Sequence, residues 1–286
     1  MDLPVRASRA PGKFLEMDPA RRELAVALEL HEAEVWTDCF EAAAALPGNP
    51  LGVAVQRSTS PPLHTLEVLD SPEINRVVGL GVEAPATRDQ LRALVDFHRC
   101  RGRRHLRVEL APVAAPAELP MWLIDEGFAL DVAMPTKIVR STHDVGPTPA
   151  DTPVHLLGPE YREEIATLNA RAWGDWSTSG PVATWFGATV GVEGFRHYGI
   201  VDGGRLVSVG VMVVKGELAW LGFGATHLRY RDRGLRATSL ALRLAHARDL
   251  GCQMVHAEVD ARFASSPKLP FEPLYERQSY SLVVKE

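Results

Sequence analysis

The chain has 286 residues, 46% of them hydrophobic, with a formal net charge of -5. That is enough for two ordinary domains or one large one with a packed core, and the acidic balance argues against a general polyanion-binding surface. The three cysteines, Cys39, Cys100 and Cys252, lie far apart without CxxC spacing, so neither a disulfide framework nor a thiolate metal site is suggested.

The opening "MDLPVRASRAPGKFLEM" lacks an apolar signal core and no run reaches the ~18 apolar residues of a membrane span, so a cytoplasmic protein is expected. Further along, "RVVGLGV" (76–82) alternates like a strand, and "RDQLRALVDFHRCRG" (88–102) puts Leu91, Leu94, Val95 and His98 on one helical face. "HLRVEL" (105–110) reads as a strand, and "MWLIDEGFAL" (121–130) closes the set. Three prolines and a glycine in "STHDVGPTPADTP" (141–153) mark a linker, dividing the chain into 1–143 and 151–286. The second half repeats the order with "LAWLGFGAT" (218–226), "GLRATSLALRLAHARDLG" (234–251), "QMVHAEV" (253–259) and "LYERQSYSL" (274–282).

Matched order supports an internal repeat over two unrelated α/β domains. Gly102 to Glu109 and Gly251 to Glu258 are both seven residues apart. Leu80 to Gly102 spans 22 residues and Leu221 to Gly251 spans 30, so eight extra residues fall at "HLRYRDRG". The first half has only "GVEAPATRDQ" there, with one arginine and no glycine where its helix begins.

The extra segment and the residues just after it bring Arg229, Arg231, Arg233 and Arg236 to a helix start. A helix N-terminus leaves about four N–H groups unpaired and carries roughly half a positive charge, which suits a phosphate. Gly234 permits close backbone approach, and the arginines add charge-assisted contacts. The plain alternative is a solvated basic turn.

"ATHLRYRDRGLRATSLALRLAHARDLG", followed by "MVHAEV" and "LYERQSYSL", resembles the GNAT (GCN5-related N-acetyltransferase) superfamily. The resemblance implies an α/β protein of two tandem domains, each a mixed, mostly antiparallel sheet flanked by helices, the first degenerate and lacking the phosphate loop. The family's Arg/Gln-x-x-Gly-x-Gly/Ala places Arg231, Gly234 and Arg236 at its three named positions, Arg236 being a departure from Gly or Ala. Acetyl-CoA or another acyl-CoA is then expected against strand residues Phe223, Gly224, Ala225 and Thr226 and loop residues Arg231, Asp232, Arg233, Gly234, Leu235, Arg236 and Ala237. No metal is implied, since the histidines show no ligand spacing.

The resemblance also implies a tyrosine on a final helix as proton donor to the leaving thiolate, a place Tyr275 fits. Anchoring the halves on Phe128 and Tyr280 sets Leu123 opposite Tyr275, leaving the first half without a donor. The family's frequent asparagine after the 253–259 strand is not evident in "DARFASSPKLPFEP". Glu217 and Glu258 are the candidate bases, with Glu193 and Asp175 farther off; structural or solvated roles compete for each. Trp173, Trp176 and Trp185 are candidates for an apolar acceptor pocket, with core packing as the competing role. The implied activity is acyl-CoA-dependent N-acyl transfer, foremost of acetyl to a primary amine of a small molecule or peptide. The alternative is a non-catalytic acyl-CoA-binding regulatory or interaction module. Neither a membrane nor a nucleic acid is expected as partner, and a homodimer is compatible with the reading.

Overall fold

The computed structural model describes residues 17–56, 63–66, 74–132, 134–147, 152–173, 180–266 and 270–283. Its first element, α1 (Pro19–Ala44), begins where Asp18 accepts the Arg21 N–H at 3.0 Å and proline occupies the first turn. Strands β1 (Val53–Gln56) and β2 (Leu63–Leu66) pair antiparallel. Then come β3 (Arg76–Val78), α2 (Arg88–Arg99), β4 (His105–Leu110), α3 (Leu119–Asp125), β5 (Ala129–Leu130) and β6 (Pro135–Ser141). After the linker follow β7 (Val154–Leu157), α4 (Arg162–Trp173), α5 (Gly180–Gly187), β8 (Phe195–Asp202), β9 (Arg205–Lys215) and β10 (Leu218–Thr226). The series ends with α6 (Leu235–Asp249), β11 (Met254–Asp260), α7 (Ala261–Ala264), β12 (Glu272–Glu276) and β13 (Gln278–Val283). No described helix is long and apolar enough to cross a membrane.

Each half contains one parallel pair joined by a helix, β3–α2–β4 and β10–α6–β11, and the other pairings are antiparallel. The repeated order in the sequence is therefore a repeated βαβ unit. Leu91, Leu94 and Val95 of α2 pack on Val77 and Val108, and Leu240, Leu244 and Ala247 of α6 pack on Leu221 and Val255. Each apolar helix stripe covers its own parallel strands.

The sheets do not divide at the linker. The seven-stranded sheet runs β12-β6-β11-β10-β9-β8-β7, so β6 of the first half lies inside the second half's sheet. The four-stranded sheet runs β3-β4-β13-β5, so β13 of the second half lies inside the first half's sheet. Each half lends its last strand to the other, with β6 paired to β11 over seven residues and β13 to β4 over six.

Three expectations change. The segment holding Tyr275 is strand β12, not a helix; it sits at a sheet edge, where Pro273 needs no N–H for the ladder. Phe128 and Tyr280 are not counterparts in two domains, because both are buried in the same core, with Tyr280 paired to Leu130. The parallel registers Val77↔Val108 and Leu221↔Ala257, aligned through the seven-residue spacing, equate Leu221 with Val77 and not with Leu80. The surplus of the second half before Gly251 is then five residues, not eight.

Helix α1 left no trace in the sequence pattern because it has no single apolar face. Leu28, Glu29, His31, Glu32, Val35, Trp36 and Phe40 are all buried, so apolar and charged side chains are covered around much of its circumference. One side packs Trp36 and Phe40 among Trp185, Val211, Val213 and Trp220 of the second half, together with Leu51 and Val53 of the first.

Candidate functional site: a splayed strand pair and the ion network behind it

Strand β10 stays with β11 only from Leu218↔Met254 to Leu221↔Ala257. Beyond Leu221 it follows β9 instead, through a bulge in which Gly222 opposes Val211 and Ala225 opposes Val209. Phe223 takes φ 46° inside this bulge, a costly conformation for a bulky residue. Packing holds it there. A Cβ on Gly222 would meet the Trp220 indole at 1.8 Å, and one on Gly210 would meet the Arg243 guanidinium at 2.7 Å. Arg243, buried along α6, donates to the Val211 carbonyl at 3.2 Å. The bulge thus turns β10 away from β11 and leaves one edge of 222–226 without a strand partner among the described residues. Gly224, exposed, has open space above it.

The start of α6 follows at once. Gly234 has φ 78° and gives no side-chain cap, and the first turn contains no acidic residue. The first-turn amides of Leu235, Arg236 and Ala237 precede the helical ladder, whose first bond runs from Thr238 N–H to the Gly234 carbonyl at 3.0 Å. Arg231, Arg233 and Arg236 are exposed around them. Arg233 lies 4.7 Å from the Tyr230 ring centre, and the Tyr230 hydroxyl donates to Asp202 at 2.7 Å, which anchors the loop to β8.

The equivalent place in the first half is closed twice. Thr87 accepts the Gln90 N–H at 3.1 Å while the Gln90 side chain accepts the Thr87 N–H at 2.9 Å, a capping box that occupies the α2 start, with Asp89 adding like charge against an anion. The chain itself also reaches the loop beyond β3: Ala115 N–H donates to the Gly81 carbonyl and Ala86 N–H to the Ala115 carbonyl, both at 2.8 Å.

On the other face of the β10–β11 opening, buried charges join the halves. Arg277 is fully buried and reaches Glu29 at 2.8 Å, Glu32 at 2.9 Å, Glu109 at 3.2 Å and Glu258 at 2.5 Å. Lys137 pairs with Glu32, and Arg76 meets Glu109 at 3.4 Å and Glu258 at 3.3 Å. Glu109 and Glu258 are the two residues singled out by the seven-residue spacing, and they converge on the same two arginines. Burial favours the neutral form of both acids, but Arg277 and Arg76 hold Glu258 down at about 2, while burial dominates at Glu109 and raises its pKa. Burial, with Arg277 nearby, brings Lys137 down to about 7.

Two buried histidines adjoin the network, His256 Nε2 lying 2.8 Å from His31 Nδ1. Burial lowers both, His31 to about 4 and His256 well below its ordinary value; His197, buried beside Arg162, also falls to about 4. A lowered folded value means stability that is complete above the unfolded value near 6.5 and lost as pH falls through the folded one. The melting temperature should therefore drop between pH 6.5 and 4, at up to about 1.4 kcal/mol per pH unit for each histidine that must gain a proton. The raised Glu109 acts in the opposite sense. A flat thermal-melt series across that range would mean the histidines are charged or hydrated in the fold.

The chain superposes on a GCN5-related N-acetyltransferase from Kribbella flavida with a TM-score of 0.55 at 18% identity, covering 76% of this chain and 84% of that one. It matches a functionally unknown conserved protein from Staphylococcus epidermidis with a TM-score of 0.55 at 10% identity, covering 78% and 91%. A GCN5-related N-acetyltransferase from Sphaerobacter thermophilus gives 0.52 at 13% identity, over 69% and 67%. The chain has the GCN5-related N-acetyltransferase fold. No protein-family model matches it, and no curated protein matches it in sequence.

Within this acetyltransferase fold the expected cofactor residues fall in one continuous stretch, from Phe223, Gly224, Ala225 and Thr226 at the bulge through Arg231, Asp232, Arg233 and Gly234 to Leu235, Arg236 and Ala237 at the α6 start. Phe223 is an exception in direction, since its ring faces the core on the α1 side. The residues expected to do chemistry are scattered. Tyr275 is buried, and its hydroxyl donates to Glu29 at 2.5 Å; burial and that carboxylate push its pKa well above the ordinary value. It is a member of the ion network and not a free acid at the opening. Glu217 is exposed in the hairpin before β10, five residues and about 16 Å of strand from the bulge. Glu258 does reach the opening, with 21% of its side chain exposed, but as a carboxylate held by two arginines.

Trp185 is a core residue, tilted against Phe40 at 4.6 Å and stacked on Trp36 at 6.4 Å, so it presents no wall to an acceptor. Trp176 and Asp175 lie outside the described residues, and Trp173 ends α4. Sequence reading missed Glu29, Glu32, Trp36, Arg76 and Arg277. The equal Gly–Glu spacing was the one signal that pointed to their partners.

Proposed function

We propose that the chain is an acyl-CoA-dependent N-acyltransferase, moving an acetyl group from acetyl-CoA to a primary amine of a small molecule or peptide. The observation that carries this is the contrast between two equivalent helix starts, α2 closed by its capping box and α6 uncapped behind Gly234 and flanked by arginines. The amides of Leu235, Arg236 and Ala237, with Arg231, Arg233 and Arg236, would hold the pyrophosphate. The open edge at 222–226 offers main-chain groups to the amides of the pantetheine arm, as a strand would. When bound, the cofactor supplies an activated acyl group as a thioester.

Amides at the bulge are suited to stabilise charge that develops on the acyl oxygen. Glu258, kept ionised by Arg277 and Arg76, is suited to hold an ammonium and is a poor base. A second reading, a non-catalytic acyl-CoA-binding module, is favoured by the sequestration of Tyr275, which removes the nominated acid. Thiol release from acetyl-CoA with an amine panel, set beside CoA binding alone, separates the two: binding without release supports the module.

One CoA per chain is expected by calorimetry, and two equivalent sites would refute the assignment to the second half. Gly234→Val should weaken CoA binding roughly tenfold or more, since a β-branched residue resists φ 78° and distorts the amides that face the phosphates. Arg88→Ala, at the capped helix start, should leave it unchanged. Equal losses in both variants would show that the halves had been misassigned.

A further inference from the structure

The β10–β11 opening has α6 on one face and α1 on the other, because Ala219 and Leu221 pack with α6 while Trp220 and Phe223 pack with α1. On the α1 face four side chains bridge the splayed strands. Phe223 of β10 meets the Trp36 ring edge-on at 5.8 Å. The Arg76 guanidinium lies 4.7 Å from the Trp36 ring centre, and Arg76 Nη1 reaches Glu258 of β11 at 3.3 Å. Two of the four, Trp36 and Arg76, come from the first half.

Behind Phe223 the rings continue in contact, with Trp220 at 5.3 Å and Phe186 at 5.8 Å, and Trp185 beyond Trp36. Trp36 is pinned as well as packed: its indole N–H donates to Glu32 at 3.4 Å, and Arg76 covers its face. An acyl chain entering from the α6 face would, once past the bulge, meet this arch. Lengthening the chain would require moving aromatic rings that are close-packed and an arginine already engaged by two carboxylates.

We propose that the arch of Phe223, Trp36, Arg76 and Glu258 sets the acyl-chain length, admitting short groups such as acetyl and propionyl and rejecting longer ones. This rests on the acyl-CoA reading above and makes the first half a specificity element of the second half's site. In an open apolar channel each added methylene would raise affinity about fourfold. The arch removes that gain.

Calorimetry on the full chain with CoA, acetyl-CoA, butyryl-CoA and hexanoyl-CoA tests it. The parent should bind hexanoyl-CoA no more tightly than acetyl-CoA, whereas Trp36→Ala should shift the hexanoyl-to-acetyl ratio about tenfold or more toward the longer chain. Trp36→Leu, a milder change that opens a smaller void, should shift it in the same direction by a few fold. Loss of packing alone would change affinity for all four ligands together, so the ratio is the readout. Tighter hexanoyl-CoA binding by the parent, or an unchanged ratio in both variants, would overturn the proposal while leaving CoA binding in place. Failure of the parent to bind CoA at all would overturn the underlying function and the proposal with it.

Discussion

Residues 151–286 expressed alone should not give a stable monomer. That fragment lacks β6, which fills the space between β11 and β12 with antiparallel pairing on both sides. Its β11 would become a raw edge, β12 would have no neighbour, and β13 would keep neither β4 nor β5. Exposed edges of this kind pair with other chains, so aggregation is the expected outcome. Arg277 would also lose Glu29, Glu32 and Glu109 together. Supplying residues 1–150 in the same cell should restore a soluble one-to-one complex. Size-exclusion chromatography and melting decide the matter: a monomeric fragment with a cooperative melt near that of the full chain would show that the strand exchange is dispensable.

Arg277→Met should cost about 3–5 kcal/mol, a large fraction of the 5–15 kcal/mol typical of a folded protein. The arginine is buried among Glu29, Glu32, Glu109 and Glu258, and its removal leaves those carboxylates with Lys137 and Arg76 as the cations bonded to the group among the described residues. The loss reflects stranded negative charge more than the worth of the pairs themselves. It should therefore depend on pH with a defined sign. Stranded carboxylates have raised folded values, and such groups add stability as pH falls through those values. The difference between variant and parent should narrow in mild acid. Arg277→Lys keeps the charge without the planar fork and should lose less. A melt of Arg277→Met within 1 kcal/mol of the parent would mean that water enters the network and solvates the acids.

The βαβ units and the glycine-led, arginine-flanked start of α6 were legible because each is local. Strand alternation, the stripe of Leu91, Leu94 and Val95, and Gly234 before an apolar helix all act within a few residues of themselves. The expected strand 105–110 and strand 218–226 coincide with β4 and β10. What stayed hidden depends on partners far away in the chain. Helix α1 is buried on too many sides to show a stripe, and the strand at Tyr275 looks helical until β6 is seen to claim it as a neighbour. The assignment of Tyr275 failed for the same reason, since its hydroxyl is claimed by Glu29, 246 residues away. Glu258 could be nominated as an acid in an otherwise apolar strand, where burial suggests a raised pKa, but the two arginines that lower it instead were not visible.

The exchanged strands also have a consequence for the order in which the protein can be made. Strand β13 completes the first half's sheet, and Arg277, just before it, lies 168 positions from the Glu109 it contacts on β4. A ribosome extends a chain by about 5–20 residues per second. The first half must therefore wait on the order of ten seconds or more, with β4 and β5 lacking the strand between them, until residue 283 has emerged. During synthesis it is a nascent chain with an open seam, and pairings of such long range are slow to form. Chaperone dependence during translation should accordingly fall on the first half, although every residue of its βαβ unit is made early.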